Sequence, residues 1–529
     1  MAYDVQHDQW REVHRDVLDI NAANQRRRFA TEVAERMNCP VCDVEAALLA
    51  ATAQSGPHDV RPGVGGEAPD DPHRLALLCL EEWSDTERQQ GLIYYRDDYY
   101  AFDASKYHVV GIKDVQARVT AAIKREFNRL GRAGLLAPNG HIFKVTSKLL
   151  NDVVRVIESL TKISDARSLP MWRDDRPDMV PLPENVLVTP SGLVDLAALA
   201  AGHFQWIPPT PAFISTHGIG FSVEPAAQCP CWENFLRQLW PDDQDSIHLL
   251  QEWFGYLLLP DTSQQKMLML CGPTRSGKGT IGRVLNSFLG EANVAGPTLR
   301  RMQGEFGLEP LINKSLALVS DARLSGKIDA MSLLEDILNI TGEDTMTINR
   351  KNKPMLTLRL PTRIMISCNE FPRFQDASQA LFSRLLLLQL RHTWLNQEDH
   401  DLTARLIGEL PGILNWSIAG LGRLRQRGRF VQPSSSQQFL DECRRMVSPV
   451  HAFIQDRLEV GHEFSVPTQT CFQEWIRWRN DNGVQVLSEQ QTFGRSLHSA
   501  LPFLTVGQST IHNGRQREYR GIRIRNRPN

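Results

Sequence analysis

Gly272, Gly277 and Lys278 keep a G-x-x-x-x-G-K spacing within GPTRSGKGT, residues 272–280. The stretch follows a continuous apolar run, Lys266-Met-Leu-Met-Leu-Cys271, and precedes a helix-compatible run from Thr280 to Leu289. A strand that enters such a loop, with a helix leaving it, turns backbone N–H groups and a helix N-terminus toward phosphate oxygens, and the lysine reaches the terminal ones. Gly272, Pro273, Thr274, Arg275, Ser276, Gly277, Lys278, Gly279 and Thr280 are therefore the candidate cradle for a nucleotide. In loops of this kind the residue after the lysine carries the hydroxyl that binds Mg²⁺. Here that residue is Gly279, which leaves the role to Thr280 or to a water.

A phosphate loop alone names no reaction, so a metal-site acid and a group that positions water are needed as well. LALVSDAR, 316–323, is an apolar strand ending in Asp321, where a second carboxylate-bearing strand holds the metal. Residue 322 is Ala where a glutamate commonly follows, and the water-activating base stays unassigned. RIMISCNE, 363–370, ends in Asn369, an amide suited to orient the attacking water, although an Asn at a strand end also serves as a plain turn residue. Arg384 opens the apolar run LLLLQL. In a ring it would reach the γ-phosphate of the neighbouring subunit, with Arg373 as the alternative finger and a simple salt bridge as the plainer use of either.

Between the second and third strands, ITGEDTMTINRKNKPMLTLRLP reads as a hairpin whose tip carries Arg350, Lys351 and Lys353. Surface hairpins use lysine for solubility, but a basic tip inside a nucleotide-driven core is also placed to touch a phosphate backbone. The tail reads as an amphipathic helix, 468–483, and a second helix opened by a Ser488/Gln491 capping box, then two strands about an Asn-Gly turn, which is a winged-helix pattern. From Thr505 to Asn529 there are six arginines and one glutamate. Arg495, with His498, is the candidate groove contact, and Arg515, Arg517 and Arg523 are candidate phosphate contacts; a protein-docking wing is the alternative.

The elements that must position these groups follow from patterning. The chain has 529 residues, 42% hydrophobic and 23% charged, enough for several cores. Lys plus Arg number 59 against 61 acidic residues, so any nucleic-acid surface must be local. Nine cysteines and an N-terminus without an apolar signal fit a reduced cytosolic setting, and no run is apolar enough to span a membrane. Cys39/Cys42 and Cys229/Cys231 lack the partners of a closed zinc site and read as small buried residues. The expected fold class is α/β: a P-loop NTPase core at 266–400, preceded by a helical region at 1–60, a mixed α/β domain at 75–225 and a helical collar at 226–265. A helical lid at 401–446 and a winged-helix domain at 447–529 follow.

GPTRSGKGT, LALVSDAR, ITGEDTMTINRKNK, ISCNEFPRFQDASQALFSR and ELPGILNWSIAGLGRL, in this order, resemble the superfamily 3 helicase domain of phage and plasmid primase-helicases, related to the poxvirus primase-helicase. With CPCWENFLRQLW and LLQEWFGYLLLPD the resemblance covers about 185 to 450. It implies an AAA+-like hexamer that hydrolyses ATP with Mg²⁺ at subunit interfaces and translocates 3′ to 5′ on single-stranded DNA, gripped by the basic hairpin. It also implies a replicative role on origin DNA in the host cytosol. Neither a paired Asp-x-Asp strand with a following His nor a complete zinc ribbon is found, so primer synthesis is not expected of this chain and a separate primase is a possible partner. The competing class is an ATP-switched initiator or loader that unwinds nothing. A small-molecule kinase, suggested by GKGT, leaves the winged-helix tail unexplained.

Overall fold

The computed structural model describes residues 67–84, 89–173, 181–200, 202–320, 330–371, 379–447, 449–484, 489–511 and 514–525. The expected helices of 1–60, Cys39 and Cys42, Asp321, Arg373 and Ser488 lie outside the described residues. Two compact units divide the chain, Met1–Arg74 and Leu75–Asn529; only residues 67–74 of the first are described, and the sheets and cores belong to the second. Among the described residues no helix is long and apolar enough to cross a membrane.

The second unit opens within α1 (Pro72–Leu80) and continues with an antiparallel meander of β1 (Leu92–Tyr95), β2 (Asp98–Asp103) and β3 (Lys106–Val110), then α2 (Ile112–Arg132) and α3 (Ser147–Thr161). Val115, Val119, Ile123 and Phe127 recur at helical spacing on α2 and meet Leu75 and Cys79 of α1 and Val153 and Ile157 of α3. Tyr95 pairs with Asp98 across Arg96 and Asp97, whose φ values of 52° and 64° make a two-residue mirror-image hairpin turn that leaves Asp97 exposed while Arg96 folds over the Tyr95 ring. Short strands β4 (Met171–Trp172), β5 (Val186–Thr189), β6 (Gly192–Asp195), α4 (Leu196–Ala200), β7 (Trp206–Ile207) and β8 (Phe213–Ile214) complete this half.

Two apolar-striped helices, α5 (Pro230–Leu239) and α6 (Gln244–Leu257), lead into the central layer. In chain order this is β9 (Met267–Cys271), α7 (Lys278–Leu289), β10 (Val294–Ala295), α8 (Leu299–Met302), β11 (Leu316–Val319), α9 (Ala330–Thr341), β12 (Met346–Arg350), β13 (Lys353–Leu358), β14 (Arg363–Cys368), α10 (Gln379–Arg384) and β15 (Leu385–Gln389). Its five-stranded sheet is parallel throughout, in the order β10-β11-β14-β9-β15, while β12 and β13 form a separate hairpin. A parallel sheet must be covered on both faces, which is why β9, β14 and β15 are apolar runs rather than alternating ones. Leu268, Leu270, Leu386 and Leu388 meet Ile281, Leu285 and Phe288 of α7 on one face. Met267, Met269, Leu385 and Leu387 meet Leu333 and Ile337 of α9 on the other.

The region expected as a helical lid holds α11 (Leu402–Ile407), α12 (Leu410–Arg427) and α13 (Ser434–Val447). A Cβ built on Gly255 would stand 2.4 Å from the Ser417 carbonyl, and one on Gly420 would stand 2.5 Å from that of Gln251, so these glycines let α6 and α12 pack backbone to backbone. The C-terminal part runs α14 (Pro449–Arg457), β16 (Leu458–Pro467), α15 (Thr468–Asp481), α16 (Gln490–Ala500), β17 (Thr505–Ile511) and β18 (Gly514–Ile524), with sheet order β16-β18-β17. Stacking of Trp475 on Trp478 and on Phe493, with centroids 5.5 and 5.4 Å apart, ties the two middle helices together. One expectation changes here. The expected pair of strands is part of a three-stranded sheet because β16 pairs with β18, and α16 starts after Glu489, which makes no side-chain capping bond; the Ser488 of the expected capping box lies outside the described residues.

Candidate nucleotide site

The loop after β9 is shaped by steric necessity at both glycines. A Cβ on Gly272 would lie 2.4 Å from the Leu390 carbonyl, and Gly277 takes φ +95° as it caps α7 beside Leu239 and Phe235. No side chain caps α7, so the N–H groups of its first turn, beginning with Lys278, Gly279 and Thr280, stay available to an anion where the helix dipole favours negative charge. The Lys278 ammonium donates to the Gly272 and Pro273 carbonyls, both at 2.6 Å, and to Ser276 Oγ at 3.1 Å. It is thus aimed across the mouth of its own loop, on acceptors that phosphate oxygens can replace.

These groups open into a cleft of about 1130 Å³ at the carboxyl edge of the parallel sheet, the edge where α/β sheets bind ligands. Cys271 and Cys368 are register partners, so Asn369, the residue after β14, borders the phosphate loop directly and lines the cleft. Ser320, which follows β11, also lines it and is the residue before Asp321. Thr280 borders the cleft with its hydroxyl accepting from Arg283 Nη2 at 3.1 Å, while Gly279 is exposed. The loop itself is strapped from above by the segment after β15: Thr393 Oγ1 donates to the Thr274 carbonyl at 2.7 Å, Trp394 N to the Arg275 carbonyl at 3.0 Å, and Arg275 pairs with Glu398 at 3.2 Å.

Three cleft residues went unseen in the sequence. Arg405 of α11, paired with Asp399, and Arg283, bridging Thr280 to Thr403, bring two further cations to the rim. Cys231 is exposed in the cleft, not buried as its type suggests, because Glu409 accepts from the N–H groups of Cys231 and Trp232 at 3.0 and 2.9 Å and so pins the start of α5 there. An arginine at i+3 in a helix is a readable signal for Arg283; nothing local announces the other two. Among the described residues Cys229 and Cys231 join no grouping of three metal-ligand side chains.

Arg384 is at the other end of the sheet. β15 runs parallel to β9, pairing Leu385 with Met267 and Gln389 with Cys271. At about 3.3 Å per residue, Arg384 therefore lies roughly 15 Å from the phosphate-loop edge, beyond the reach of its own side chain. Its guanidinium donates to the Leu338 carbonyl and to Thr341 Oγ1 at the C-terminal end of α9.

The basic hairpin is not free. Arg350 is buried, with Nη2 on Asp97 Oδ2 at 2.8 Å, Nη1 on the Arg96 carbonyl at 3.0 Å and Nε on the Pro354 carbonyl at 2.9 Å. Lys353 pairs with Asp98. The expected basic tip is partly engaged: the acidic β1-β2 turn pairs with buried Arg350 and with Lys353, which stays exposed, and among the described residues the exposed Lys351 side chain has no polar partner. Arg350→Ala should consequently lower stability by about 1–3 kcal/mol in urea denaturation, because it removes a buried guanidinium that fills the contact and donates to the Arg96 and Pro354 carbonyls, whereas Lys351→Ala should leave stability unchanged.

In the C-terminal part Arg495 and Arg517 are exposed, and His498 packs edge-on against Tyr519 at 5.9 Å. Arg523 instead pairs with Glu459 at 2.8 Å and lies 3.9 Å over the Phe464 ring, which takes it from the free phosphate contacts. The Arg515 side chain lies outside the described part of the chain.

Residues 270–384 match a family of unknown function, DUF5906. Over 163 residues, 30% of this chain, the sequence is 26% identical to "Replication protein E1" of human papillomavirus 66, covering 24% of that protein. Over 83 residues, 16% of this chain, it is 30% identical to "Uncharacterized mitochondrial protein ymf21" of Marchantia polymorpha, covering 46% of it. The matches thus span less than half the length of either relative. Among solved structures, the apo C-terminal region of NrS-1 covers 85% of this chain and 99% of its own, with TM-score 0.47 and 11% identity.

Proposed function

We propose that this chain is an ATP-dependent replicative DNA helicase of a phage, plasmid or other mobile element, acting on single-stranded DNA as a ring, most simply a homo-hexamer. The observation that carries this reading is the single cleft in which the phosphate loop, the end of β11 and Asn369 converge at one edge of a parallel sheet. Lys278 and the first-turn N–H groups of α7 hold the ATP phosphates. Asp321, with Thr280 or a water, is the set that would hold Mg²⁺, which supplies charge neutralisation on the phosphate oxygens. Asn369 orients the attacking water beside them. The placement of Arg384 at the far end of the sheet supports a role across a subunit interface, in a neighbour's site.

Lys351 is the hairpin cation left to meet the strand in the channel, and the helix and wing that carry Arg495, Arg515 and Arg517 are read as a winged helix on duplex origin DNA. The name of the papillomavirus relative, a replication protein, agrees with that use. Primers would then come from a separate primase.

Forks tailed at either the 3′ or the 5′ end, assayed for strand displacement with native mass measured alongside, test the reading. ATP- and Mg²⁺-dependent opening of the 3′-tailed fork by a ring is expected. DNA binding without steady turnover or displacement would make the chain an ATP-switched initiator instead.

A further inference from the structure

Two thiols meet at the hinge of the nucleotide cleft. Cys271 and Cys368 are the last residues of neighbouring parallel strands and are direct register partners, so their side chains leave the sheet on the same face. Neighbouring strands run about 4.8 Å apart, inside the Cα separation of roughly 4.4–6.8 Å that a disulfide spans. Both thiols have backbone acceptors. Cys271 Sγ donates to the Asn369 carbonyl at 3.9 Å, and Cys368 Sγ to the Leu270 carbonyl at 3.7 Å. Both are almost wholly buried, at 3% and 1% exposure; Cys368 contributes to the cleft wall, so peroxide entering the cleft comes to the residue that pairs with Cys271. Gly272 follows one and Asn369 the other.

We propose that Cys271 and Cys368 form a reversible disulfide under peroxide, and that this bond closes the site to nucleotide. The Cys271 sulfur attacks one peroxide oxygen; the O–O bond breaks, a water leaves and Cys271 becomes a sulfenic acid. The Cys368 sulfur then attacks the Cys271 sulfur. The S–O bond breaks, the S–S bond forms, and the hydroxide departs as a second water with the Cys368 proton. Two thiols are oxidised and one peroxide is reduced to two waters.

The roles follow from the surroundings. The neighbouring Cys368 thiol, and then the Lys278 charge, hold the Cys271 thiol below its ordinary value and so favour its thiolate, the nucleophilic form. Cys443 of α13 shares this core and is the competing partner. A disulfide also needs its Cβ atoms about 3.5–4.5 Å apart, closer than the strands stand, so the ends of β9 and β14 must draw together. Gly272 N donates to the Cys368 carbonyl at 3.2 Å and Leu390 N to the Cys271 carbonyl at 2.8 Å, so drawing β9 toward β14 and away from β15 changes the bonds at the base of the loop. The loop and Asn369 therefore shift with the strand ends that carry them.

The test uses the full chain treated with hydrogen peroxide, alkylated, and mapped by mass spectrometry without reduction, with a fluorescent ATP analogue titrated in parallel. Expected are a Cys271–Cys368 peptide pair two hydrogens lighter than its free parts and at least about a tenfold loss of analogue affinity, reversed by dithiothreitol. Cys368→Ser and, separately, Cys368→Ala should keep their affinity after peroxide, and Cys443→Ser should respond like the parent. Oxidation confined to exposed Cys231, a bridge to Cys443, or a Cys271–Cys368 bridge that leaves affinity intact would each overturn the proposal. The affinity arm rests on the nucleotide reading. Failure of the untreated, reduced chain to bind the analogue would count against that reading, while the peptide map would still decide the bridge.

Discussion

Lys278→Ala is expected to stop ATP turnover, with a loss on the order of 10²–10³ or more in the rate of phosphate release. The ammonium is the one cation on the phosphate loop held toward the loop's own mouth, by the Gly272 and Pro273 carbonyls and Ser276 Oγ. Arg275, the other, is turned out to Glu398. Phosphoryl transfer builds charge on the transferred group's oxygens, and a donor fixed beside them contributes most when the charge is greatest. Lys278→Arg should not restore the rate. Its planar fork needs more width than an ammonium, and Gly272, closed from behind by the Leu390 carbonyl, cannot retreat to make it. Phosphate release, measured beside analogue binding and a melting curve, separates the outcomes: a variant that melts normally and still turns over ATP near the parent rate would remove Lys278 from the chemistry.

How much of the fold and site was legible in the sequence depends on how local the signal is. The phosphate loop, its strand and its helix are contiguous, so nine residues carry both the geometry and its flanks. Asn369 was readable because a parallel strand must end at the ligand edge, and an amide one residue past an apolar run falls there by construction. The docking of Arg350 on Asp97 was not, since 253 residues separate them and no period links a hairpin tip to an acidic turn. The same holds for Glu409, which reaches across 178 residues to turn Cys231 into the cleft. β16 was hidden for another reason: its pairing with β18 slips between Val460 and Ser465, which breaks the alternation by which a strand is recognised. Charge counting misled at Arg523, because a tail rich in arginine gives no sign of which one stacks on Phe464 and pairs with Glu459.

Arg384→Ala is expected to cut ATP turnover by roughly 10³ or more while nucleotide affinity stays close to the parent's, the pattern of an arginine that acts in the transition state from another subunit. Within one chain the geometry forbids direct action, because Arg384 sits at the amino end of β15 and the phosphate loop at the carboxyl end of its parallel neighbour. A purely structural use is also visible: the guanidinium caps α9 through the Leu338 carbonyl and Thr341 Oγ1, favourable contacts at a helix C-terminus. The two uses separate by mixing. In a ring each interface takes its phosphate loop from one subunit and its arginine from the next, so equal amounts of Arg384→Ala and Lys278→Ala chains leave about one interface in four with both groups intact. Activity should therefore reappear in the mixture although neither variant has any alone. A capping role predicts the reverse, a lowered melting temperature for Arg384→Ala and no recovery at any ratio, since a helix end weakened in its own subunit cannot be mended by a neighbour.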